Sequence, residues 1–172
     1  MTITIRTAEA GDVPAILEIY NDAVIHTTAS YDYEPSTLEQ RLRWFEQHRE
    51  AGLPVLVAVN SDGRIVGWGS LSKFREKIGY QYSVEHSVYV APDQRRQGIG
   101  RSILQVLIEV ACDLGKHIII GGVDADNAAS RRLHESLGFE QVAHFKEVGY
   151  KFDRWLDLIF YQRELSPAIT SD

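Results

Sequence analysis

The chain has 172 residues, of which 44% are hydrophobic and 24% are charged, and its formal net charge is −6. This composition is typical of a globular protein and argues against a disordered chain. The acidic balance, together with the lack of any basic run longer than two residues, disfavours a general nucleic-acid binder.

The single cysteine, Cys112, can form no disulfide within the chain and has no C-x-x-C partner. The six histidines lack the H-E-x-x-H spacing of a zinc site, so we predict no metal cofactor. The first residues lack the apolar core of a signal peptide, and no apolar run approaches the roughly 20 residues of a membrane helix. We expect a cytoplasmic protein with neither a membrane nor a nucleic-acid partner.

The first half of the chain predicts two helices between strands. Ile3 and Ile5 alternate with polar residues and predict a short strand, and Asp12 is a candidate N-cap for the helix that follows. Residues 25–36 predict a loop. Thr37 then caps a second helix that runs to about Glu50. Its predicted apolar face consists of Leu38, Leu42 and Phe45.

The second half predicts a strand-rich region with two further helices. The predicted strands are 54–59, 65–71, 83–90, 118–123, 140–150 and 155–165. A helix begins near Gly98 and ends at the C-cap Gly115, and a shorter one covers 127–137 before Gly138. The predicted apolar face of the longer helix consists of Ile99, Ile103, Val106, Leu107, Val110 and Leu114. The order βααβββαβαββ predicts an α/β or α+β fold with a mixed sheet, in a single domain over residues 3–165 with a loose tail over residues 166–172.

Residues 88–102 combine a strand, a polar turn and a glycine pair that opens a helix. The first N–H groups of a helix have no internal partner, and together with the helix dipole they form an anion site. Gly98 and Gly100 would let a pyrophosphate approach the backbone. The arginines that can add charge-assisted contacts are Arg95, Arg96 and Arg101.

Other phosphate motifs fit this segment less well. A Walker A loop, G-x-x-x-x-G-K-[ST], is absent, and the dinucleotide fingerprint lacks its third glycine because Arg101, Ser102 and Ile103 follow the glycine pair. The plain alternative is a glycine-rich helix start that binds no ligand. The order of the surrounding elements favours phosphate binding over that alternative.

The pattern Arg95-x-x-Gly98-x-Gly100 resembles the CoA-pyrophosphate loop of the GCN5-related N-acetyltransferase (GNAT) superfamily. The segment from Asn127 to Phe139 resembles the second cofactor signature of that superfamily. Within it, residues 19–24, 84–90, 133–139 and 149–157 resemble the phosphinothricin acetyltransferase branch, and most of all the bacterial methionine sulfoximine/methionine sulfone N-acetyltransferases. The resemblance implies the GNAT fold, a mixed and mostly antiparallel sheet of about seven strands flanked by about four helices.

The resemblance also implies acetyl-CoA as co-substrate, a homodimer, and acetylation of the α-amino group of a small L-amino acid. It assigns substrate contacts to Arg75, Glu76, Lys77, Glu85, His86 and Ser87. It assigns cofactor contacts to Val88, Tyr89, Val90, Arg95, Arg96, Gln97, Gly98, Ile99, Gly100, Arg101, Asn127, His134 and Ser136. For Val88, Tyr89 and Val90 only the backbone is implied.

Three of these side chains carry the predicted chemistry. An amine must lose a proton before it attacks a thioester, and Glu85, in the middle of a strand, is the candidate general base. The alternative for Glu85 is an ion pair on an exposed strand. Arg75 can clamp a substrate carboxylate, or simply belong to a solvated loop. His134 stands where many superfamily members have a tyrosine acid, and catalytic and structural roles both remain open for it.

Other activities are compatible with the same motifs. The acceptor amine could belong to a polyamine, a drug or a peptide N-terminus instead of an amino acid. A catalytically inactive acyl-CoA sensor would share the fold, although the presence of Glu85 argues against it.

Overall fold

The computed structural model describes residues 2–165, which form seven β-strands and four α-helices. The strands are β1 (Ile3–Thr7), β2 (Val55–Asn60), β3 (Ile65–Lys73), β4 (Ser83–Val90), β5 (Ile118–Asp124), β6 (Glu140–Lys151) and β7 (Arg154–Glu164). The helices are α1 (Val13–His26), α2 (Leu38–Glu50), α3 (Ile99–Asp113) and α4 (Ala128–Ser136). The predicted order of elements is confirmed, whereas the predicted tail over residues 166–172 lies outside the described residues.

The strands form a mixed sheet in the order β1-β2-β3-β4-β5-β7-β6. β4 and β5 are parallel, and the pairs β1–β2, β2–β3, β5–β7 and β6–β7 are antiparallel. The prediction of a mostly antiparallel sheet of seven strands with four helices is therefore confirmed. The chain divides into two compact units, of which the first contains residues 2–71 and 87–107 and the second residues 72–86 and 108–165.

The core of the first unit packs α1 and α2 against β2 and β3. The start of α2 is fixed by a capping box, in which Thr37 Oγ1 accepts from the Gln40 amide at 3.2 Å and Gln40 Oε1 accepts from the Thr37 amide at 2.8 Å. The main core side chains are Val13, Ile16, Ile19, Phe45, Val55, Val57 and Trp68.

Two glycines of β3 let α3 lie close to the sheet in this unit. A Cβ on Gly69 would lie 2.6 Å from Ile103 Cγ2 and 2.9 Å from Leu107 Cδ1. A Cβ on Gly67 would lie 3.0 Å from Ile103 Cδ1 and 3.1 Å from the carbonyl oxygen of Tyr89. Because Gly67 and Gly69 have no side chains, α3 and the loop that precedes it can pack closely against β3 and β4.

The predicted apolar face of α2 is confirmed at Phe45 and wrong at Leu38 and Leu42. Leu38 and Leu42 are 45% and 38% exposed, and the buried positions are Arg41 and Phe45. The Arg41 guanidinium carbon lies 3.8 Å from the centroid of the Tyr20 ring and 4.7 Å from that of Trp44. Arg41 therefore occupies the buried face of α2 through cation–π contacts, whereas hydrophobicity alone predicted Leu38 and Leu42 there.

Two further burial predictions need correction. Leu104, Ile108 and Ala111 of α3 are buried although they lie outside the predicted apolar face, and Leu114 is exposed because the helix ends at Asp113. Val88 and Val90, whose hydrophobic side chains alone would suggest core positions, are only partly buried on β4.

The second unit is built on β5, which pairs with β4 on one side and with β7 on the other. Asn127 caps α4, since its Oδ1 accepts from the Ser130 amide at 3.0 Å, and Gly138 follows the helix with a left-handed φ of 77°. These two residues were predicted as the start and the stop signals of the helix.

Candidate active site

Glu85 is half-buried on β4 in the second unit. Its Oε1 lies 3.6 Å from the position that a Cβ on Gly122 of β5 would take, so the carboxylate lies against a glycine. Burial raises the pKa of Glu85 above its ordinary value, and the positive charge of Arg75 opposes that shift. A carboxyl group with a raised pKa is the kind of group that accepts a proton near neutral pH.

The predicted substrate loop lies in the same unit and is exposed. Arg75 donates from Nη1 to the Phe74 carbonyl oxygen at 2.8 Å, and its guanidinium carbon lies 4.3 Å from the centroid of the Phe74 ring. Glu76 pairs with Lys73 at 3.3 Å. Lys77 accepts from the Tyr80 amide through its carbonyl oxygen at 3.0 Å. Of these residues, Arg75 is the one whose charge acts on Glu85.

His86 and His134 are buried and contact each other in the second unit. Their Nε2 atoms are 3.0 Å apart, and His134 Nδ1 lies 2.7 Å from the Ser130 carbonyl oxygen. Ser136 is exposed at the end of α4, and its hydroxyl donates to the Leu133 carbonyl oxygen at 2.8 Å. No local spacing predicts the contact between the two histidines, because they are separated by 48 residues.

Two adjacent glycines of β5, Gly121 and Gly122, complete this arrangement. Gly122 faces Glu85, and Gly121 faces both histidine rings. Neither glycine was predicted as a site residue. The signal was nevertheless present, because glycines inside a strand of β-branched residues mark a place where other groups approach the backbone closely.

In the first unit, the partly exposed residues Val88, Tyr89 and Val90 end β4. The Tyr89 ring stacks on Trp68 with centroids 4.8 Å apart, and its hydroxyl donates to the Ala29 carbonyl oxygen at 3.3 Å. Burial raises the pKa of Tyr89 well above its ordinary value, so its hydroxyl stays neutral. The Ser87 carbonyl oxygen would lie 3.0 Å from a Cβ on Gly69, which places this part of β4 directly beside β3.

The loop before α3 has an open backbone with left-handed residues, which is the geometry predicted for a phosphate-binding loop. Arg96 and Gly98 adopt left-handed φ angles of 64° and 81°. The Gly98 carbonyl oxygen accepts the first helical bond, from the Ser102 amide at 3.0 Å, so the preceding amides of α3 have no acceptor within the helix. A Cβ on Gly98 would meet no atom within 4 Å, so a ligand can approach this backbone.

The side chains of the loop are arranged around this backbone. Arg95 lies 3.3 Å from Asp22 through Nη2, and its Nε lies 3.4 Å from the Val90 carbonyl oxygen. The Ile99 side chain is buried, and Gly100 is partly exposed. The exposed side chains are those of Arg95, Arg96, Gln97 and Arg101.

A family model described as an acetyltransferase (GNAT) domain matches residues 5–160. The chain belongs to the GNAT acetyltransferase family. An L-methionine sulfoximine/L-methionine sulfone acetyltransferase of Salmonella typhimurium is 44% identical over 170 residues, which cover 99% of each chain. The predicted superfamily and branch are confirmed, and the chain is an N-acetyltransferase.

Two solved structures are also similar to this GNAT protein. A phosphinothricin acetyltransferase from Sinorhizobium meliloti, in complex with acetyl-CoA, has a TM-score of 0.95 at 34% identity and covers 100% of this chain and 93% of its own. A ribosomal-protein-alanine N-acetyltransferase from Brucella melitensis has a TM-score of 0.92 at 48% identity, with 94% and 99% covered. Both support the assigned fold.

Among residues 2–165, no group of three or more His, Cys, Asp or Glu side chains is arranged to hold a metal ion. None of the helices that the structure describes has the length and apolar character needed to span a membrane.

Proposed function

We propose that this GNAT protein transfers the acetyl group of acetyl-CoA directly to the α-amino group of a small L-amino acid or analogue, such as methionine sulfone, methionine sulfoximine or phosphinothricin. The observation that carries the proposal is the half-buried carboxyl group of Glu85. Burial raises its pKa above the ordinary value, and the positive charge of Arg75 only partly offsets that increase. The Salmonella and Sinorhizobium relatives, whose names specify these analogues, support the choice of acceptor.

Glu85 takes the role of general base in this proposal. The amino group of an amino acid is mostly protonated at neutral pH and cannot attack a thioester in that form. A carboxylate with a raised pKa removes the proton more readily than an ordinary surface glutamate. No acyl-enzyme is formed, since the amine attacks the thioester itself.

Arg75 supplies the second recognition element, a charge-assisted contact to the substrate carboxylate. The positive charge of Arg75 already lowers the pKa of Glu85. We therefore propose that a substrate whose carboxylate binds Arg75 presents its amino group to the Glu85 carboxylate. Glu76, Lys77 and Ser87 remain proposed substrate contacts. The side chain of His86 is buried against His134, so its proposed contribution comes from the backbone.

The loop from Arg95 to Arg101 is the proposed binding site of the CoA pyrophosphate. Its left-handed residues, open backbone at Gly98 and exposed arginines fit a dianionic group. When bound, acetyl-CoA supplies the activated acetyl group. We also propose that the backbone of Val88, Tyr89 and Val90 contacts the cofactor. Asn127, His134 and Ser136 are proposed cofactor contacts on the basis of the resemblance alone.

A panel of acceptors tests the proposal most directly. Thiol release from acetyl-CoA is followed with methionine sulfone, methionine sulfoximine, phosphinothricin, their decarboxylated amines, a polyamine and an N-terminal alanine peptide. We expect the amino-acid analogues to give the highest kcat/KM. Tight CoA binding without release from any acceptor would contradict the proposal and favour an acyl-CoA sensor.

A peptide N-terminus is the second candidate acceptor. It is favoured by the Brucella neighbour, whose name specifies the alanine of a ribosomal protein as substrate. A peptide amine has no adjacent carboxylate, so its acetylation would not need Arg75. In the acceptor panel, a higher kcat/KM for the peptide than for the free amino acids would select this alternative.

Residues 3–165 are proposed to act as one domain within a homodimer. Support for the dimer comes from apolar side chains exposed on the β6–β7 hairpin of the second unit, with exposed fractions between 42% and 61%. They are Val142, Phe145, Val148, Tyr150, Phe152 and Trp155. We expect a dimer in analytical ultracentrifugation, and weaker self-association after Trp155→Glu.

Two biological consequences follow from the proposed activity. The proposed activity consumes acetyl-CoA, and we propose the cytoplasm as its place of action. Acetylation of phosphinothricin removes a free amino group from a herbicide. Cells that express this protein are therefore expected to grow at higher phosphinothricin concentrations than cells that express Glu85→Gln.

A further inference from the structure

The contact between His86 and His134 fixes where the protons of both rings lie. The Nε2 atoms are 3.0 Å apart, the ring centroids are 5.0 Å apart, and the two ring planes are inclined by only 24°, so the rings meet edge to edge. Both side chains are buried, with exposed fractions of 7% and 4%. A hydrogen bond between two imidazole nitrogens requires one of them to carry a proton and the other to be bare.

The second nitrogen of His134 decides which one is the donor. Nδ1 lies 2.7 Å from the Ser130 carbonyl oxygen, which can only accept, so Nδ1 carries the proton. A neutral imidazole has a single N–H, so His134 Nε2 is bare and accepts from His86 Nε2–H. His86 Nδ1 is then a bare acceptor, buried without a hydrogen-bond partner among the described residues.

The surroundings of the pair favour its neutral form. Phe139 lies edge-on to both rings, and Tyr161 stacks on His134 with centroids 5.3 Å apart. Glu135, which raises the pKa of His134, and Arg131 both contact the Tyr161 hydroxyl, at 2.8 Å and 3.3 Å. Burial outweighs these groups and lowers the pKa of both histidines, that of His86 to about 3.

The histidine pair also lies next to the end of the paired segment of β4 and β5. The parallel register of β4 and β5 runs from Ser83–Ile118 to Glu85–Ile120, so His86 follows the paired residues immediately. Gly121 makes room for the bridge, because a Cβ there would lie 2.5 Å from His86 Nε2 and 2.6 Å from His134 Nε2. The side-chain bridge between β4 and α4 therefore starts at the residue that follows the last β4–β5 pair, Glu85–Ile120.

We propose that His86 and His134 are a neutral positioning pair that fixes Glu85, with His134 accepting a hydrogen bond from His86 instead of protonating the departing thiolate. The inference rests on the proposed function, since it concerns the placement of the proposed base. His134 has no proton to give from Nε2, and its Nδ1 proton is bound to the helix carbonyl of Ser130. A CoA thiolate resembles cysteine, with a pKa of about 8.5, and leaves without a strong acid.

Nitrogen-15 NMR of the wild-type protein at pH 7 tests the tautomers without any substitution. The ring signals of both histidines are assigned through bonds from the backbone. We expect His134 to be protonated at Nδ1 only and His86 at Nε2 only. A proton on His134 Nε2, or a charged His134, would overturn the proposal. The acceptor panel is independent of this measurement, so failure of the proposed function is distinguishable from failure of the pair.

Kinetics of matched variants test the positioning role. His134→Phe keeps a ring but removes the acceptor, and we expect kcat to fall by about 10- to 100-fold, the effect of a misplaced catalytic group. His134→Gln keeps an acceptor near the Nε2 position and should lose less. Neither phenylalanine nor glutamine can act as an acid. Equal losses of kcat in the two variants, or no loss in either, would therefore contradict the proposal.

The double variant His86→Phe/His134→Phe separates positioning from proton donation. Replacing both partners by apolar groups leaves no buried donor without an acceptor, so we expect a higher kcat than in either single Phe variant. A thiolate acid would be missing from the double variant as well, and its kcat would then be no higher than that of His134→Phe. Circular dichroism at the assay temperature restricts the comparison to folded proteins.

Discussion

The guanidinium of Arg41 lies over the ring of Tyr20, with its central carbon 3.8 Å from the ring centroid, although only 6% of the residue is exposed. A buried cation of this kind depends on the faces of its aromatic neighbours, here Tyr20, Trp44 and Trp68. Lysine cannot reproduce the planar stacking of a guanidinium.

Arg41→Lys should therefore lower the free energy of unfolding by about 1–3 kcal/mol, measured by urea denaturation. Arg43 on the same helix is the matched control, because its side chain is 66% exposed and pairs with Glu39 at the surface. Arg43→Lys should change the free energy of unfolding by less than about 0.5 kcal/mol. Equal effects at both positions would show that the aromatic contacts do not stabilise Arg41.

Glu85→Gln should lower kcat at pH 7 by about 100-fold or more, because it removes the proposed base and keeps the shape of the side chain. Part of the loss should return as the pH rises from 6 to 10, since more of the amine then arrives neutral. The measurement is kcat at saturating acetyl-CoA and amine. A variant with wild-type kcat and only a raised amine KM would reduce Glu85 to a binding residue.

The same substitution should make the protein more stable at pH 7. The pKa of Glu85 is raised in the folded state, so the protonated side chain contributes stability below its unfolded pKa. That contribution is lost as the pH rises through the folded pKa, and at pH 7 a buried charge opposes folding. We expect a higher Tm for Glu85→Gln than for wild type at pH 7 and a smaller difference at pH 4.

Arg75→Ala should raise KM for amino-acid acceptors by about 10- to 150-fold, equivalent to about 1.5–3 kcal/mol for a hydrogen bond to a charged group. KM for acetyl-CoA should change far less. Decarboxylated acceptors, which lack the clamped group, are the control and should respond little. The acid limb of the kcat/KM profile should move to higher pH, because the Arg75 charge no longer lowers the pKa of Glu85.

Gly98→Asp should weaken CoA binding by at least 10-fold in calorimetry, since it adds a negative charge at the proposed pyrophosphate site. Gly63→Asp is a matched control. Gly63 has a φ of 77° against 81° for Gly98, and neither glycine has an atom within 4 Å of an added Cβ. The two substitutions carry similar backbone strain, so equal CoA affinities would refute the assignment of the loop.

The sequence predicted those parts of the fold that depend on local chemistry. Thr37, Asn127 and Gly138 could be identified because capping needs particular side chains or a left-handed backbone at fixed offsets. The inward orientation of Arg41 could not, because it depends on aromatic rings from other elements. The bridge between His86 and His134 likewise depends on how α4 packs on β5. Neither the β4 segment that contains His86 nor the α4 segment that contains His134 encodes that packing.

The two glycines of β3 have a practical consequence for anyone who wishes to make this enzyme more heat-resistant. Replacing glycine by alanine is a common route, because it restricts the unfolded chain, and it yields about 0.4–1 kcal/mol where the backbone permits. At Gly69 the added methyl group would lie 2.6 Å from Ile103, so the substitution would push α3 and the loop before it out of place. Gly11 has no atom within 4 Å of an added Cβ and no left-handed φ, so thermostabilising libraries should vary Gly11 and leave β3 unchanged.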